Sequence, residues 1–341
     1  MKTAGRVARA FAGGAALVVA LVAARPANAQ QLGNDTIAIF PKDVGEFAYA
    51  NLKEARTQKW FPQLRQQMLP DRFRQFESFL SSAGVDPNSQ VEEVAWGLVP
   101  QGVTTKTEGT GSAAVPTGEE VVGVALGNFT PSATENFFKQ QKLPTFKSHG
   151  QTMYAFGTGA GPNDLFFLFL DANTAAFGHR SELEKMLEVR YGGAEGLLQN
   201  DKLFSLINEA NGSGIVWAVL NPAYTRLAVR QLAPQVEQFP EAAKLLTRLQ
   251  NLIINVEASS GVDGKFQAVC GSVQDANTLA QLMQLALVYQ QYQSKQQNPD
   301  LAQLLSQAQI TPAGDRVTLR MSLSDDQMTS LIKHNTFAFK M

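Results

Sequence analysis

Two short stretches of this sequence share one pattern: Phe47-Ala-Tyr-Ala-Asn51 and Trp217-Ala-Val-Leu-Asn221. Each begins with an aromatic residue, continues with apolar residues typical of a buried β-strand, and ends in Asn, where a helix is expected to begin. The match predicts that the chain contains two related units, each opening with the same strand-to-helix step.

Beginning with these two stretches as the first strand, both parts of the chain share an order of strand, helix, hairpin, helix, strand and helix. This order is close to the β-α-β-β-α-β pattern of ferredoxin-like units. We therefore predict an α+β fold of two tandem ferredoxin-like-type repeats, each an antiparallel sheet with helices packed on one face. The two sheets either lie side by side or extend one another. The predicted organisation is residues 1–29 as a signal peptide, 30–200 as the first repeat and 201–341 as the second.

Local signals refine this outline. Residues 101–118 are rich in Gly, Thr, Ser and Ala, and are predicted to form a flexible loop within the first repeat. Ser181-x-x-Glu184 and Ser324-x-x-Gln327 are predicted to be capping boxes that open the last helix of each repeat.

The N-terminus has the three parts of a secretory signal peptide. Lys2, Arg6 and Arg9 form a basic region, residues 10–24 are apolar, and Ala27-Asn28-Ala29 matches the small-residue cleavage pattern. The apolar run is too short to cross a bilayer comfortably, which takes about 20 residues. No later segment is long and apolar enough to do so, and we expect a periplasmic or secreted product with no membrane span after signal cleavage.

The composition excludes several classes of protein. With 44% hydrophobic and 17% charged residues, the 341-residue chain is not of a disordered type. A single Cys excludes a disulfide scaffold. Loss of residues 1–29 removes four basic residues and no acidic one, which leaves 25 basic and 30 acidic residues, a net charge of −5. This balance disfavours nucleic acid as a partner.

The residues most often used in catalysis are scattered. His149, His179 and His334 share no metal-ligand spacing, and turn or cap roles are expected for them. Cys270 lies in an apolar strand and is predicted to be a small buried residue, with a disulfide between chains as the alternative. Gly157-Thr-Gly-Ala-Gly161 lacks the Lys of a phosphate-binding loop and precedes a strand, which favours a hairpin turn.

Three adjacent acid pairs occur: Glu92-Glu93, Glu119-Glu120 and Asp325-Asp326. Strand geometry points Glu92 and Glu93 to opposite faces, and the first turn of a helix favours Asp325 and Asp326. None of these pairs carries a recognisable catalytic motif. The sequence therefore predicts no catalytic, cofactor-binding or metal-binding residue, and no cofactor.

A Gln-rich stretch over residues 281–309 has two interpretations. In the first, it is an amphipathic helix that packs on a sheet and frays before Pro299. In the second, it is a partner-binding or self-associating helix. The sequence leaves both open.

Three motifs carry a resemblance to a family: the strand start Phe47-Ala-Tyr-Ala-Asn-Leu52, the turn Ala83-Gly-Val-Asp-Pro87 and the strand end Phe169-Leu-Asp171. Together with the signal peptide, they make the chain similar to uncharacterised exported proteins of environmental bacteria with a duplicated α+β body. The resemblance covers most of residues 35–335. It implies a fold and an export route, and it brings no catalytic residue with it.

The function expected from these observations is that of an exported, soluble, non-catalytic binding or structural module of the cell envelope, with an unknown protein or small-molecule ligand. A groove between the repeats, lined by aromatic residues drawn from a set that includes Trp60, Trp96 and Trp217, is the predicted binding site. The alternative is a cell-envelope hydrolase with a non-standard active site, in which His149 or His179 would be required for turnover.

The signal peptide gives a direct prediction. Protein recovered from the producing cell should begin at Gln30, because cleavage is expected after Ala29. Mass spectrometry of the intact protein measures this end, and a mass that includes Met1 would contradict the prediction.

Overall fold

The computed structural model describes residues 31–333 except 70, 83, 109–110, 162–163, 233–239, 259–260 and 298. It confirms the α+β class: the described strands form one large antiparallel sheet, with helices packed against it. In the part of the chain so described, no helix is long and apolar enough to cross a membrane.

The strands are β1 Glu46–Asn51, β2 Val91–Glu108, β3 Gly111–Gly127, β4 Thr145–Ser148, β5 Gln151–Phe156, β6 Leu165–Phe169, β7 Thr174–Gly178, β8 Val216–Leu220, β9 Leu249–Ala258, β10 Val262–Cys270, β11 Gln309–Ala313 and β12 Arg316–Leu323. The helices are α1 Asn34–Ala38, α2 Leu52–Ala55, α3 Phe61–Met68, α4 Asp71–Ser82, α5 Pro87–Gln90, α6 Pro131–Gln140, α7 Arg180–Arg190, α8 Asp201–Ala210, α9 Pro222–Leu232, α10 Pro240–Arg248, α11 Val273–Gln297, α12 Pro299–Gln307 and α13 Asp325–Lys333. A short 3₁₀ helix spans Leu197–Gln199.

The two stretches that share a pattern in the sequence meet at the middle of the sheet. The strand order is β11-β12-β10-β9-β8-β1-β2-β3-β7-β6-β5-β4, so β1 and β8 are neighbours. They pair antiparallel, with Tyr49 opposite Trp217 and Phe47 opposite Val219. Strands before β8 in the chain extend the sheet to one side, and β8 and the strands after it extend it to the other.

Both faces of this central pair are buried. Every residue of β1 and β8 is buried, including Glu46 and Asn51 at the ends of β1, so neither strand has the solvent-facing side of an alternating strand. On one face, Tyr49 stacks on Trp217 with ring centroids 5.5 Å apart, and Phe47 lies 5.7 Å from the same indole. On the other face, Ala48 and Ala218 leave room for the helices that pack there.

Helices cover the sheet on two faces, which corrects the prediction of helices on one face only. We call them the α9 face and the α8 face. On the α9 face, α2, α3, α9, α12 and α13 contribute core residues such as Leu64, Tyr224 and Met328. On the α8 face, α1, α7 and α8 contribute core residues such as Leu183 and Ile207. A centre that is apolar on both sides requires cover on both sides.

Two tandem ferredoxin-like repeats are not confirmed. That pattern depends on split β-α-β crossovers, whereas β1 pairs directly with β2, and β8 directly with β9, in antiparallel fashion. The helices between these strands return the chain to an adjacent position in the sheet. A helical connection of this length can end at the neighbouring strand position or cross over to a more distant one. The order of elements alone therefore did not distinguish this topology from a ferredoxin-like one.

Two local predictions were also wrong. Residues 101–108 and 111–118 are not a loop but continue β2 and β3 as a long paired hairpin, with Thr104 opposite Val115. β-branched residues such as Val103 and Thr105 favour this extended pairing over a loop.

Helix α7 begins at Arg180, and the Ser181 hydroxyl bonds the Glu120 carboxylate instead of capping the helix. The Ser324–Gln327 capping box is confirmed by both of its reciprocal hydrogen bonds, at 2.9 and 3.2 Å.

The central aromatic stack gives a stability prediction. Trp217→Ala should lower the free energy of unfolding by about 3–5 kcal/mol, because it leaves a cavity between buried rings. Guanidinium unfolding followed by circular dichroism measures the loss. Tyr191→Ala is the control, since Tyr191 is 50% exposed and its loss should cost less than about 1 kcal/mol. Equal losses for the two variants would contradict the central role of the stack.

Candidate functional site

The histidines occupy structural positions. The buried His179 ring accepts a hydrogen bond at Nδ1 from the backbone N–H of Val121, at 2.9 Å. His149 sits in a turn with a φ of 50°, and its ring stacks on Tyr191 with centroids 5.4 Å apart. The His179 and His149 rings therefore contact different residues. His334 lies outside the described residues.

Cys270 is buried, in agreement with its apolar sequence context. Burial, together with the charges of Asp275 and Asp315, raises the pKa of the thiol to about 11. The thiolate that nucleophilic chemistry needs is therefore disfavoured at neutral pH.

The glycine-rich run Gly157–Gly161 forms a turn whose inward-pointing N–H groups are already occupied. The carboxylate of Asp164 accepts hydrogen bonds from the N–H of Gly159 at 2.7 Å, the N–H of Gly161 at 3.0 Å and the hydroxyl of Thr158 at 3.0 Å. These are the groups a phosphate would need, and the protein's own carboxylate fills the position.

The carboxylates of the acid pairs have different partners in different parts of the structure. Glu92 lies near the surface and pairs with Lys53, while Glu93 is buried and accepts a hydrogen bond from the Tyr49 hydroxyl at 2.9 Å. Asp325 accepts a hydrogen bond from the Trp60 indole N–H at 3.0 Å. Across the described residues, no group of three or more His, Cys, Asp or Glu side chains is placed to hold a metal ion.

In the described part of the chain, the tryptophans named for the predicted aromatic groove pack into the core instead of lining an opening. Trp217 of β8 is fully buried in the core of the α8 face, and Trp60 is 2% exposed in the core of the α9 face. Trp96 packs partly buried against the same core. These side chains fill space that a groove would need to leave open.

An open cleft of about 820 Å³ lies where the chain before β1 meets α7 and α8. Several of its charges are paired: Lys42 bonds Glu195 at 2.8 Å, and Lys185 bonds Asp43 at 3.5 Å and the adjacent Glu182 at 2.9 Å. The lining mixes three lysines with four acidic residues, so the cleft indicates no particular class of ligand.

A cluster of buried acids at one end of the central strands was missed by the sequence analysis. It consists of Glu46, Glu119 and Tyr224, which we call the acid cluster. Glu46 is 1% exposed, between Leu98 and Leu220 on the flanking strands. Among the described residues, Glu46 Oε1, both carboxylate oxygens of Glu119 and the Tyr224 hydroxyl have no hydrogen-bond partner. The signal in the sequence was a single acid heading an otherwise apolar strand.

Burial changes how the acid cluster ionises. Removal from water raises the pKa of Glu119 to about 7. Burial, reinforced by the charge of Glu119, raises the pKa of Glu46 well above its usual range. Burial and the nearby charges of Glu119, Glu46 and Glu182 raise the pKa of Tyr224 as well. The cluster is therefore favoured in its protonated, neutral form.

The acid cluster predicts how stability depends on pH. Between about pH 4.5 and pH 7 the folded protein holds a proton on Glu119 that the unfolded chain has released. The free energy of unfolding should therefore fall as pH rises through that window, by on the order of 3 kcal/mol for this group. Glu119→Gln should flatten the profile, and chemical unfolding at a series of pH values measures it.

The control for this experiment is Glu188→Gln, which removes an exposed carboxylate. Its pH profile should follow that of the unmodified protein. A Glu119→Gln profile as steep as the control's would show that Glu119 is charged in the folded protein, against the prediction.

Helix α11 presents the most exposed apolar surface of the described residues. Four side chains at helical spacing point away from the sheet: Leu285 is 69% exposed, Val288 64%, Tyr289 60% and Tyr292 72%. We call them the α11 stripe. Successive residues turn by about 100°, so positions i, i+3, i+4 and i+7 share one face.

The opposite face of α11 holds the helix in place. Ala276 and Ala280 pack with Cys270 and Val317 of the sheet. Further along, the Gln291 amide donates a hydrogen bond to the backbone carbonyl of Leu305 in α12, at 2.7 Å. A helix that is apolar on both faces is normally covered on both, but among the described residues only the inner face of α11 is covered.

Comparisons with known proteins give a distant similarity in fold. No family model and no curated protein matches the sequence. Two solved crystal forms of TP0453 are similar over most of the chain. Form I has 11% identity and a TM-score of 0.49, and covers 89% of this chain and 98% of that one. Form IV has 12% identity and a TM-score of 0.47, and covers 87% and 96%.

Proposed function

We propose that this protein is an exported, non-catalytic binding or structural module of the cell envelope, and that the α11 stripe is its binding surface. The observation that carries the proposal is the exposure of four neighbouring apolar side chains on a helix whose other face is well anchored. Contiguous exposed apolar patches on otherwise normal surfaces mark interaction sites. This favours the partner-binding interpretation of the Gln-rich stretch.

Export is part of the proposal and rests on the sequence of residues 1–29, which has the basic, apolar and small-residue parts of a signal peptide. The mature chain begins at Gln30 in this account. The periplasm or the extracellular space is then the compartment in which the α11 stripe meets its partner.

A duplicated body is also part of the proposal, with 30–200 and 201–341 as the two halves. Support comes from the order of strands outward from the centre: β1-β2-β3-β7 on one side and β8-β9-β10-β12 on the other. In both halves helices lie between the first and second strands, and again after the third. The first half adds the β4-β5 hairpin and β6 beyond β7, whereas the second adds only β11.

The contacts of the candidate catalytic residues favour binding over hydrolysis. The Nδ1 atom of His179 is committed to a backbone N–H, and the Cys270 thiol is buried and hard to ionise. Turnover of an envelope substrate that is lost on His149→Ala or His179→Ala, with the fold intact, would overturn the non-catalytic assignment.

The binding surface can be tested inside the producing cell. A photo-crosslinking amino acid in place of Tyr289 should give a covalent adduct on irradiation, because this side chain lies in the middle of the stripe. The same amino acid in place of Tyr191, which is 50% exposed on another helix end, is the matched control and should give none. Gel shift and mass spectrometry identify the adduct.

Absence of an adduct at position 289, or equal adducts at positions 289 and 191, would contradict the proposal. An adduct at position 289 with any defined protein, including a second copy of this chain, supports it.

A further inference from the structure

We infer that the occupant of the α11 stripe is a second copy of this chain, bound through the same face in a two-fold arrangement. This inference rests on the proposed function, in which the stripe is the binding surface. It adds the identity of the partner, which follows from the chemistry of the side chains on and around the stripe.

The first observation is charge. From Ala276 to Ser294 the helix contains no acidic and no basic residue. A different protein that recognises an acidic chain would be expected to use complementary charge, and this face offers none to recognise. Two copies of a chain with a net charge of −5 can approach most closely through a surface that carries no charge. The neutral helix is therefore suited to self-association.

The second observation is that the polar groups beside the stripe complement themselves. Gln281 lies one turn before Leu285 in line with the stripe, and Gln284 and Gln293 lie about a quarter of a turn to either side of it. An amide both donates and accepts hydrogen bonds, so identical side chains can satisfy one another across a two-fold axis. The Tyr289 hydroxyl accepts a hydrogen bond from the Gln293 amide at 2.6 Å and keeps its own proton for donation.

The third observation is area. A fully covered aromatic side chain buries about 150–250 Å², so the exposed parts of the two Tyr, with Leu285 and Val288, offer about 400–500 Å². Two copies joined through this face would bury about 800–1,000 Å² in total, which is the size of a weak or transient interface. We therefore expect a reversible dimer with a dissociation constant on the order of 10 µM rather than an obligate one.

An antiparallel arrangement of the two helices suits both geometry and electrostatics. Antiparallel helices place the N-terminal end of each dipole beside the C-terminal end of the other, which is the favourable orientation. With the axis near Val288 and Tyr289, Leu285 of one copy meets Tyr292 of the other. Every residue of the stripe is then covered once in each copy.

The test is sedimentation velocity of the purified protein over about 1–200 µM, a range centred on the expected dissociation constant. The unmodified protein should shift from monomer to dimer with concentration. Leu285→Glu and Tyr292→Glu should each weaken the dimer at least about tenfold, because each places two uncompensated charges in one apolar interface. Both positions are exposed, so the fold should be retained, and circular dichroism checks this.

Val273→Glu is the matched control. Val273 is apolar, 56% exposed and on the same helix, but it lies about 18 Å before Leu285 and about a third of a turn off the stripe. Its dimer should be as stable as that of the unmodified protein.

Three results would overturn the inference: a monomer at every concentration, a dimer that Leu285→Glu and Tyr292→Glu leave unchanged, or binding of the stripe to vesicles of phosphatidylethanolamine and phosphatidylglycerol in place of dimer formation. The inference and the proposed function fail separately. A monomer in solution whose position 289 crosslinks to a different protein in the cell would refute the dimer and retain the binding surface.

Discussion

The pairing of β1 with β8 is the constraint on which the rest of the structure depends. Tyr49 stacks on Trp217 across this pair, and Phe47 and Phe40 continue the aromatic layer with ring centroids 4.8 Å apart. Because every residue of both strands is buried, the sheet must be covered on two faces at its centre. Helices from both halves of the chain supply that cover, so the halves share one core.

A shared core has a functional consequence. The junction between the halves, where a ligand groove was expected, is filled by the rings of Trp217 and its neighbours. At one end of the same strands, Gly45 lets the Tyr224 ring approach, since a Cβ there would lie 2.2 Å from Tyr224 Cε2. The ring and the strands enclose Glu46, whose carboxyl is most easily kept as a neutral acid. The proposed binding surface therefore lies at the periphery, where α11 is apolar on its outer face.

Much of the fold could be predicted from local sequence. The apolar runs at Phe47–Ala50 and Trp217–Leu220 gave two central strands, and the Ser324–Gln327 capping box is present at the start of α13. The strand order could not be predicted, because a helix of given length can return the chain to a neighbouring position or to a more distant one. The pairing of residues 101–108 with residues 111–118 was missed because Gly and Ser outweighed the β-branched residues among them.

Some features of the candidate sites could likewise be predicted from local sequence, and others could not. Local context was enough to suggest a buried Cys270 and a hairpin turn at Gly157–Gly161. The acid cluster was not predictable, because Glu46 and Glu119 are 73 positions apart in the sequence and meet only through the sheet register. The sequence left open whether the Gln-rich helix packs on the sheet or binds a partner, and only the inward packing of Ala276 and Ala280 shows which of its sides is exposed.

The sheet centre is sealed, and the α11 stripe is proposed to bind a second copy of this chain. Hydrogen–deuterium exchange at low and high protein concentration tests both parts in one measurement. We expect slow exchange in β1 and β8 at both concentrations. As the protein concentration rises, exchange in α11 should slow while exchange in α6 stays unchanged. Exchange in α11 that is independent of concentration, or rapid exchange in β1 and β8, would contradict these expectations.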